Sequence, residues 1–333
     1  MDRVRDILFQ KSPHESIASE QDVIMAYRLI LGREPENSAA IKNIISKRMQ
    51  FKEMRDTFVR SAEFRHNVIR SIGGMLKPLD WDVGCIETEV DDDTLALLYA
   101  HVERVWSDLG TTEPHYSVLT NEKFKSDKFN QYAAEFFASG SSSLQVFQKT
   151  LQRNSINITQ FRDCFELGCG VGRVTIKLAE IFPKIIAVDV SAPHLELARN
   201  ALTASAQKVV EFRKLESIKS FDLLPNFDVF YSVIVLQHNP PPVIGILLKK
   251  ILSKLRDGGI AYFQVPTSAL GYRFDSRTYL KEFMDNTNME MHVFPQRELF
   301  QIIKEQGCRV MEVREDNLVG SRNMISNSIL VIK

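Results

Sequence analysis

The chain has 333 residues, 44% of them hydrophobic and 25% charged, and its 42 Lys and Arg balance 42 Asp and Glu. That length accommodates two domains, and a net charge of zero gives no bulk attraction to nucleic acid, so no nucleic-acid partner is expected. The start, Met1-Asp2-Arg3-Val4-Arg5-Asp6, lacks the apolar core of a secretory signal, no apolar run approaches a membrane span, and the cysteines (Cys85, Cys164, Cys169, Cys308) lack metal-ligand spacing; we therefore expect a reduced, cytoplasmic chain with no transmembrane segment and no metal.

The first 75 residues read as short helices. Val23, Ala26, Tyr27, Leu29, Ile30 and Leu31 give a helical apolar stripe, which Gly32-Arg33-Glu34-Pro35 stops because proline disfavours helical geometry in the residue before it. Ser38 is placed to cap a second helix carrying Ile41, Ile44 and Ile45; a third follows near Phe51–Phe58 and a fourth over Ser61–Ile72. Gly73-Gly74 and Lys77–Asp80 then read as linker. The acidic stretch Glu87–Asp93 reads as a loop and helix cap, since the adjacent acids of Asp91-Asp92-Asp93 point in different directions and make a poor metal site. Helices are expected over Thr94–Leu109, Asp127–Phe137 and Leu144–Leu151. Residues 1–75 thus form a helical accessory domain and 76–155 a linker and helical lid region.

From about Phe161 the pattern changes, and the third region, 156–333, follows. Apolar runs at Asp163–Leu167, Ile185–Asp189, Val209–Arg213, Phe227–Val233, Gly259–Val265, Cys308–Val313 and Ile325–Ile332 alternate with amphipathic helices, except for the last two. Such alternation specifies an α/β fold with a mostly parallel sheet, and the short polar loop between the last two runs specifies an antiparallel hairpin.

The densest signal is Phe165-Glu166-Leu167-Gly168-Cys169-Gly170-Val171-Gly172-Arg173. A buried strand enters a glycine-rich turn and then a helix, at the carboxyl edge where doubly wound sheets bind ligands. The spacing is G-x-G-x-G, and Arg173 stands where a dinucleotide fingerprint has its third glycine. Glu166 at the strand end repels pyrophosphate but suits a ligand bearing an ammonium or sulfonium. Asp189, with Val190 beside it, ends the second strand, where an acid accepts hydrogen bonds from ribose hydroxyls. Glu216 and Ser217 follow the third strand, where an acid can accept from an adenine amino group.

Glu166–Gly172 resembles motif I of the class I S-adenosylmethionine (SAM)-dependent methyltransferases, and Asp189 matches that family's ribose-binding acid. Glu216 stands where the family usually has Asp. Phe227–Val233 and Leu255–Phe263 resemble its fourth strand and the turn into its fifth. The resemblance covers residues 160–333. It implies a Rossmann-like seven-stranded sheet of order 3-2-1-4-5-7-6 with strand 7 antiparallel, SAM as cofactor, and Glu166, Gly168, Gly170, Gly172, Asp189, Val190, Glu216 and Ser217 as cofactor-binding residues. Ala26–Pro35 followed by Phe58–Phe64 is similar to a small helical domain of unknown function that recurs in bacterial glycan-modifying proteins. That similarity implies context, including association with glycan assembly proteins.

Methyl transfer needs a positioned acceptor, and a hydroxyl acceptor benefits from a base. At the end of the fourth strand the chain reads Val233-Ile234-Val235-Leu236-Gln237-His238-Asn239-Pro240-Pro241-Pro242. His238 is the catalytic candidate, either as general base or substrate contact, or else as a histidine that orients the loop. The prolines resemble the motif of amine methyltransferases, but Pro242 replaces the aromatic that stacks on the amine-bearing group, so they read as a rigid turn and helix start. No Asp or Glu lies between Tyr231 and Ile251 to hold a metal. Gly271–His292, rich in aromatics and arginine, reads as an insertion covering the acceptor, and Trp106 and Tyr116-Ser117 as an extension folding over the cofactor. The expected reaction is O-methylation of a sugar hydroxyl in a bacterial surface glycan or its precursor. A small-metabolite methyltransferase and a non-catalytic SAM-binding docking module stand as alternatives.

Overall fold

The computed structural model describes residues 16–61, 63–64, 84–321 and 323–333, and the chain divides into two compact units, Met1–Leu79 and Asp80–Lys333. In the first, α1 (Glu20–Ala26) begins in a reciprocal Ser19–Asp22 capping box and runs through a wide turn, Tyr27–Leu31, to Gly32, whose φ of 71° ends it. α2 (Ser38–Ile45) is capped by Asn37, one residue before the expected Ser38: the side-chain Oδ1 of Asn37 accepts from Ala40 N at 3.0 Å. α3 (Phe51–Val59) lays Met54 and Phe58 against Val23, Tyr27 and Leu31, with the Tyr27 and Phe58 rings edge-on at 5.0 Å. The two quoted halves of the helical motif meet in this unit, because the Arg33 guanidinium pairs two-pronged with Glu63 while lying over the Tyr27 ring. Most of the expected fourth helix (Ser61–Ile72), Gly73-Gly74 and the Lys77–Asp80 linker lie outside the described residues.

The second unit opens with α4 (Asp92–Thr112), whose N-cap Asp91 accepts from Thr94 N at 2.8 Å, and α5 (Pro114–Val118). α6 (Phe129–Arg153) is one unbroken helix where two were expected. Within its Ser139-Gly140-Ser141-Ser142-Ser143 run, Ser139, Gly140 and Ser143 make the contact: a Cβ on Gly140 would overlap the Arg173 carbonyl, so its absence lets this helix reach the turn after β1. Then follow β1 (Asp163–Leu167), α7 (Thr175–Leu178), β2 (Lys184–Asp189), α8 (Ala192–Ala201), β3 (Val210–Lys214), β4 (Phe227–Ser232), α9 (Pro241–Ser253), β5 (Leu255–Ala269), α10 (Ser276–Glu282), α11 (Gln296–Glu305), β6 (Arg309–Asp316) and β7 (Met324–Ile332).

The strands form one sheet of order β3-β2-β1-β4-β5-β7-β6. Pairing is parallel from β3 to β5 and antiparallel for β5–β7 and β6–β7. This is the order that the family resemblance implies. Both faces are covered, so the central strands are buried almost throughout, as parallel strands must be. Alternation sends Phe165, Phe230 and Phe263 into the core under α9 and α11, and Tyr231 and Tyr262 into the opposite core against Phe147 of α6. The chain runs outward from β1 in both directions, through β2 on one side and β4 on the other. The crevice this opens at the carboxyl ends of β1, β2 and β4 is where a doubly wound sheet places its site.

Candidate active site

A cleft occupies that crevice, and all its lining residues belong to the 80–333 unit. The glycine loop is its floor, Asp189 and Val190 form one wall, and Ile234, Val235, His238 and Asn239 form the other. Tyr99, Val102 and Trp106 of α4, with Ser117 and Val118 of α5, roof it. Gly168 and Gly170 have φ of 72° and 52°, a region that side chains disfavour. A Cβ on Gly168 would strike Val235 and one on Gly170 would strike Val118, so the glycines let both the far wall and the roof close on the loop. The Asp189 carboxylate anchors the same loop: Oδ2 accepts from Gly170 N and Oδ1 from Ser191 N, each at 2.9 Å.

Beneath the loop lies a cluster of unmatched polarity. Glu166 and Arg173 are 3% and 7% exposed, yet Glu166 Oε2, Arg173 Nε and the Tyr231 hydroxyl have no hydrogen-bond partner. Each buried orphan costs about 1–3 kcal/mol, so the cluster reads as half of an interaction that a ligand completes. Burial pushes the Glu166 carboxyl up to about 7, against the opposing pull of nearby Thr175 and Arg173. Arg173 Nη1 donates to Ser139 Oγ at 3.1 Å and Ser143 Oγ at 3.2 Å, which holds the guanidinium toward the cleft it lines. A carboxylate and a guanidinium side by side complement a zwitterion, as the amino-acid end of SAM is.

Ile234 closes the far wall with φ of 61°, a strained conformation for a β-branched residue that costs about 1–3 kcal/mol. Beyond it, His238 Nδ1 donates to the Glu290 carbonyl at 2.8 Å, and the ring packs 5.0 Å from that of Trp106. Burial, partly opposed by that hydrogen bond, pulls the imidazole down to about 4, so it is neutral at physiological pH. On the roof, His194 Nδ1 meets Ser191 Oγ at 2.7 Å, while its Nε2 lies 3.0 Å from Ser117 Oγ and 3.2 Å from the Pro114 carbonyl, joining α5 to the start of α8.

The structure thus gathers Glu166, Gly168, Gly170, Asp189, Val190 and His238 around one cleft. Three other residues from the sequence reading are placed elsewhere. Gly172 packs against Ala198 of α8, and Glu216 and Ser217 are exposed, with Ser217 capping the next turn. Their neighbours Leu215 and Phe221 line the cleft at that end.

The Gly271–His292 segment does not line the cleft either. Its Phe274 and Tyr279 are buried, where they enclose a polar core. Although burial opposes its ionisation, hydrogen bonding with His101, His292, Tyr279 and Asn286 holds the Glu290 carboxyl well below the usual range. Arg104 of α4 donates to the Met284 and Asn286 carbonyls. The segment is therefore a buttress that reaches the cleft wall through the Glu290 carbonyl. Sequence reasoning missed Arg173, Tyr231 and Glu290. For Arg173 a signal existed: a cation on the buried side of the turn opening a helix. Among the described residues no set of three His, Cys, Asp or Glu is arranged to hold a metal ion, and no helix is long and apolar enough to cross a membrane.

A model of the methyltransferase domain matches residues 136–313. The trans-aconitate 2-methyltransferase of Deinococcus radiodurans is 33% identical over 103 residues, a match spanning 31% of this chain and 37% of that enzyme. The mitochondrial ubiquinone biosynthesis O-methyltransferase of Schizosaccharomyces pombe is 26% identical over 216 residues, 60% of this chain and 76% of that one. Among solved structures, the magnesium protoporphyrin IX methyltransferase of Synechocystis with bound S-adenosylhomocysteine aligns at 14% identity and a TM-score of 0.47, over 70% of this chain and 99% of that one. The domain model alone takes in more than half of this chain, and on that ground the chain belongs to the class I SAM-dependent methyltransferases.

Proposed function

We propose that the chain methylates a hydroxyl of a small, largely apolar acceptor, with His238 as general base. The carrying observation is the His238 imidazole set beside Trp106, both lining the cleft. Beyond Glu166, Arg173 and Asp189 the lining carries no carboxylate, guanidinium or ammonium, and Trp106, Val102, Val233, Ile234 and Val235 make most of it apolar. That character favours a compact planar acceptor over the open, polar groove a glycan chain end requires. The two methyltransferases quoted above from the sequence comparison carry names of small molecules, trans-aconitate and ubiquinone, which supports a small acceptor; trans-aconitate is a polycarboxylate without a hydroxyl, so the apolar hydroxyl acceptor rests on the cleft lining. SAM, when bound, supplies an electrophilic methyl group on a sulfonium. The protein's part is to hold the acceptor oxygen on Trp106 and to take its proton at His238 Nε2.

Transfer from methyl-labelled SAM across a panel of hydroxyarenes, hydroxy acids and free or lipid-linked sugars tests the acceptor class. We expect label on planar hydroxyl compounds, and a rise of about tenfold or more in acceptor KM for Trp106→Ala with cofactor affinity unchanged. Label on sugars alone would return the glycan reading to first place.

For the cofactor end, we propose that Glu166 receives the ammonium and Arg173 the carboxylate of the amino-acid moiety. Arg173→Met should lower affinity for S-adenosylhomocysteine about 10- to 100-fold, the worth of a charge-assisted hydrogen bond, and leave methylthioadenosine, which lacks that moiety, unaffected. The Glu166 carboxyl sits near 7 in the free protein and binds as the carboxylate. Binding below pH 7 must therefore expel a proton, and S-adenosylhomocysteine affinity should fall about tenfold per pH unit there and be flat above. Glu166→Gln should abolish that slope. Equal losses for both ligands in calorimetry would refute these roles.

A further inference from the structure

We propose that a hydrogen-bond relay running from Ile234 through Gln264 and Gln237 acts together with the Glu290 carbonyl to hold the His238 proton on Nδ1, the relay by keeping a donor against Nε2, with Gln264 and Gln237 as positioning residues. The proposal rests on the reading of His238 as base. It begins from a glutamine with no exposure at all, in the middle of β5. The Ile234 backbone N–H reaches Gln264 Oε1 at 2.9 Å. A backbone N–H can only donate, so this contact fixes which end of the Gln264 amide is the carbonyl. The Gln264 NH₂ then points the other way and makes two donations, to Gln237 Oε1 at 3.0 Å and to Ser326 Oγ at 2.7 Å.

The orientation passes on. With its carbonyl taken by Gln264, Gln237 turns its NH₂ to His238 Nε2 at 3.2 Å. A donor facing Nε2 requires a lone pair there, which leaves the proton on Nδ1. The other side of the ring gives the same answer independently, because Nδ1 lies 2.8 Å from the Glu290 carbonyl, which can only accept. The Gln237 backbone carbonyl separately receives His292 N at 2.7 Å, so the buttress segment and the relay grip the same turn.

Two functional consequences follow. The strained Ile234 backbone is held by the same side chain that starts the relay, so the shape of the wall and the state of the base are set together. The Gln237–Nε2 contact is the longest link, and for His238 to act as base the acceptor hydroxyl must displace the Gln237 amide there, donating to a lone pair already in place. His238 then receives the proton at Nε2 and keeps Nδ1–H on the Glu290 carbonyl, so the ring need not turn or change tautomer during the step.

The test is ring-nitrogen NMR on the full chain with ¹⁵N-labelled histidine at neutral pH, with the His238 signals assigned by their loss in His238→Gln. The wild type should show a neutral ring protonated on Nδ1 alone. Gln237→Glu, which puts a carboxylate against Nε2, should show both nitrogens protonated. Gln264→Leu frees the Gln237 amide to flip and should move the Nε2 resonance toward a mixture of tautomers, with kcat down about tenfold or more and KM for SAM unchanged. A wild-type ring protonated on Nε2, or a Gln264→Leu spectrum superimposable on the wild type, overturns the relay. Should Gln264→Leu lose S-adenosylhomocysteine binding and so its fold, the wild-type and Gln237→Glu spectra decide alone, with an unprotonated Nε2 in Gln237→Glu as the refuting result. These spectra need no acceptor, so failure of the base reading shows separately, as a His238→Gln protein that still transfers methyl at full rate.

Discussion

Asp189→Ala is expected to weaken S-adenosylhomocysteine binding about 100-fold, close to 3 kcal/mol, and to lower the melting temperature as well. The carboxylate has two tasks that one substitution removes together. In the ligand-free protein its two oxygens accept from Gly170 N and Ser191 N, tying the glycine loop to the end of β2 and the start of α8. Each oxygen keeps a free lone-pair direction toward the cleft that Asp189 lines, where ribose hydroxyls can donate. A hydrogen bond to a charged group is worth about 1.5–3 kcal/mol, and the loss of two ligand bonds plus the loop anchor leads to the figure above. Asp189→Asn separates the tasks. It keeps one acceptor oxygen but turns an NH₂ against a backbone N–H or a ribose hydroxyl, so it should lose most of the affinity with a smaller change in melting. Calorimetry with S-adenosylhomocysteine and with adenosine decides the matter. Asp189→Ala protein that binds both within about threefold of wild type has no ribose contact at this position, since a single good hydrogen bond exceeds that difference.

The sheet was legible in the sequence because both of its faces are covered, so buried strands appear as unbroken apolar runs such as Ile185–Val188 between amphipathic helices. The glycine loop was legible because a turn with several positive φ values leaves a compositional mark. What escaped was whatever depended on a partner distant in the chain. Ser139–Ser143 looked like a break because serine and glycine are weak helix formers, and the approach of the Arg173 carbonyl to Gly140, with the Arg173 guanidinium bonded to Ser139 and Ser143, explains Ser139, Gly140 and Ser143 in mid-helix. Asn37 and Ser38 are both able caps, and the choice between them rests on one residue of register. Arg173 was noticed only as an absent glycine, although its burial beside Glu166 is what gives the floor of the cleft two signs of charge. The Gly271–His292 segment advertised its aromatics and arginines. Its working parts are instead the Glu290 carbonyl and the polar cage around the Glu290 carboxylate, and a backbone carbonyl has no signature in sequence. Glu216 and Ser217 show the converse: position after β3 suggested a contact, but β3 is an edge strand and these residues face solvent.

His238→Ala is expected to lower kcat by about 10²–10⁴, the usual worth of a general base, with S-adenosylhomocysteine affinity unchanged. The pH profile carries the stronger argument, because the cleft holds two titrating groups with different tasks. A base must be unprotonated to act, and burial holds His238 near 4 in the free protein. The limb it contributes to kcat/KM for the acceptor therefore falls as pH drops through about 4 and leaves that profile flat across the neutral range, where an ordinary histidine of about 6.5 would show a break. Glu166, near 7, acts on cofactor binding, so its limb belongs to KM for SAM and vanishes from the rate when SAM is saturating. A kcat break near 7 that persists at saturating SAM would mean that a different group takes the proton, with Glu166 itself the first candidate. An unchanged kcat in His238→Ala would assign the histidine to orienting the wall. The reaction would then rest on positioning alone, for which an acceptor already ionised in solution would suffice. A low-lying imidazole is a weak base in return for being always ready, and that balance suits an acceptor hydroxyl acidified by conjugation better than an aliphatic sugar hydroxyl. The position of the limb and the identity of the acceptor are in this sense one prediction: a neutral plateau should accompany planar, conjugated substrates.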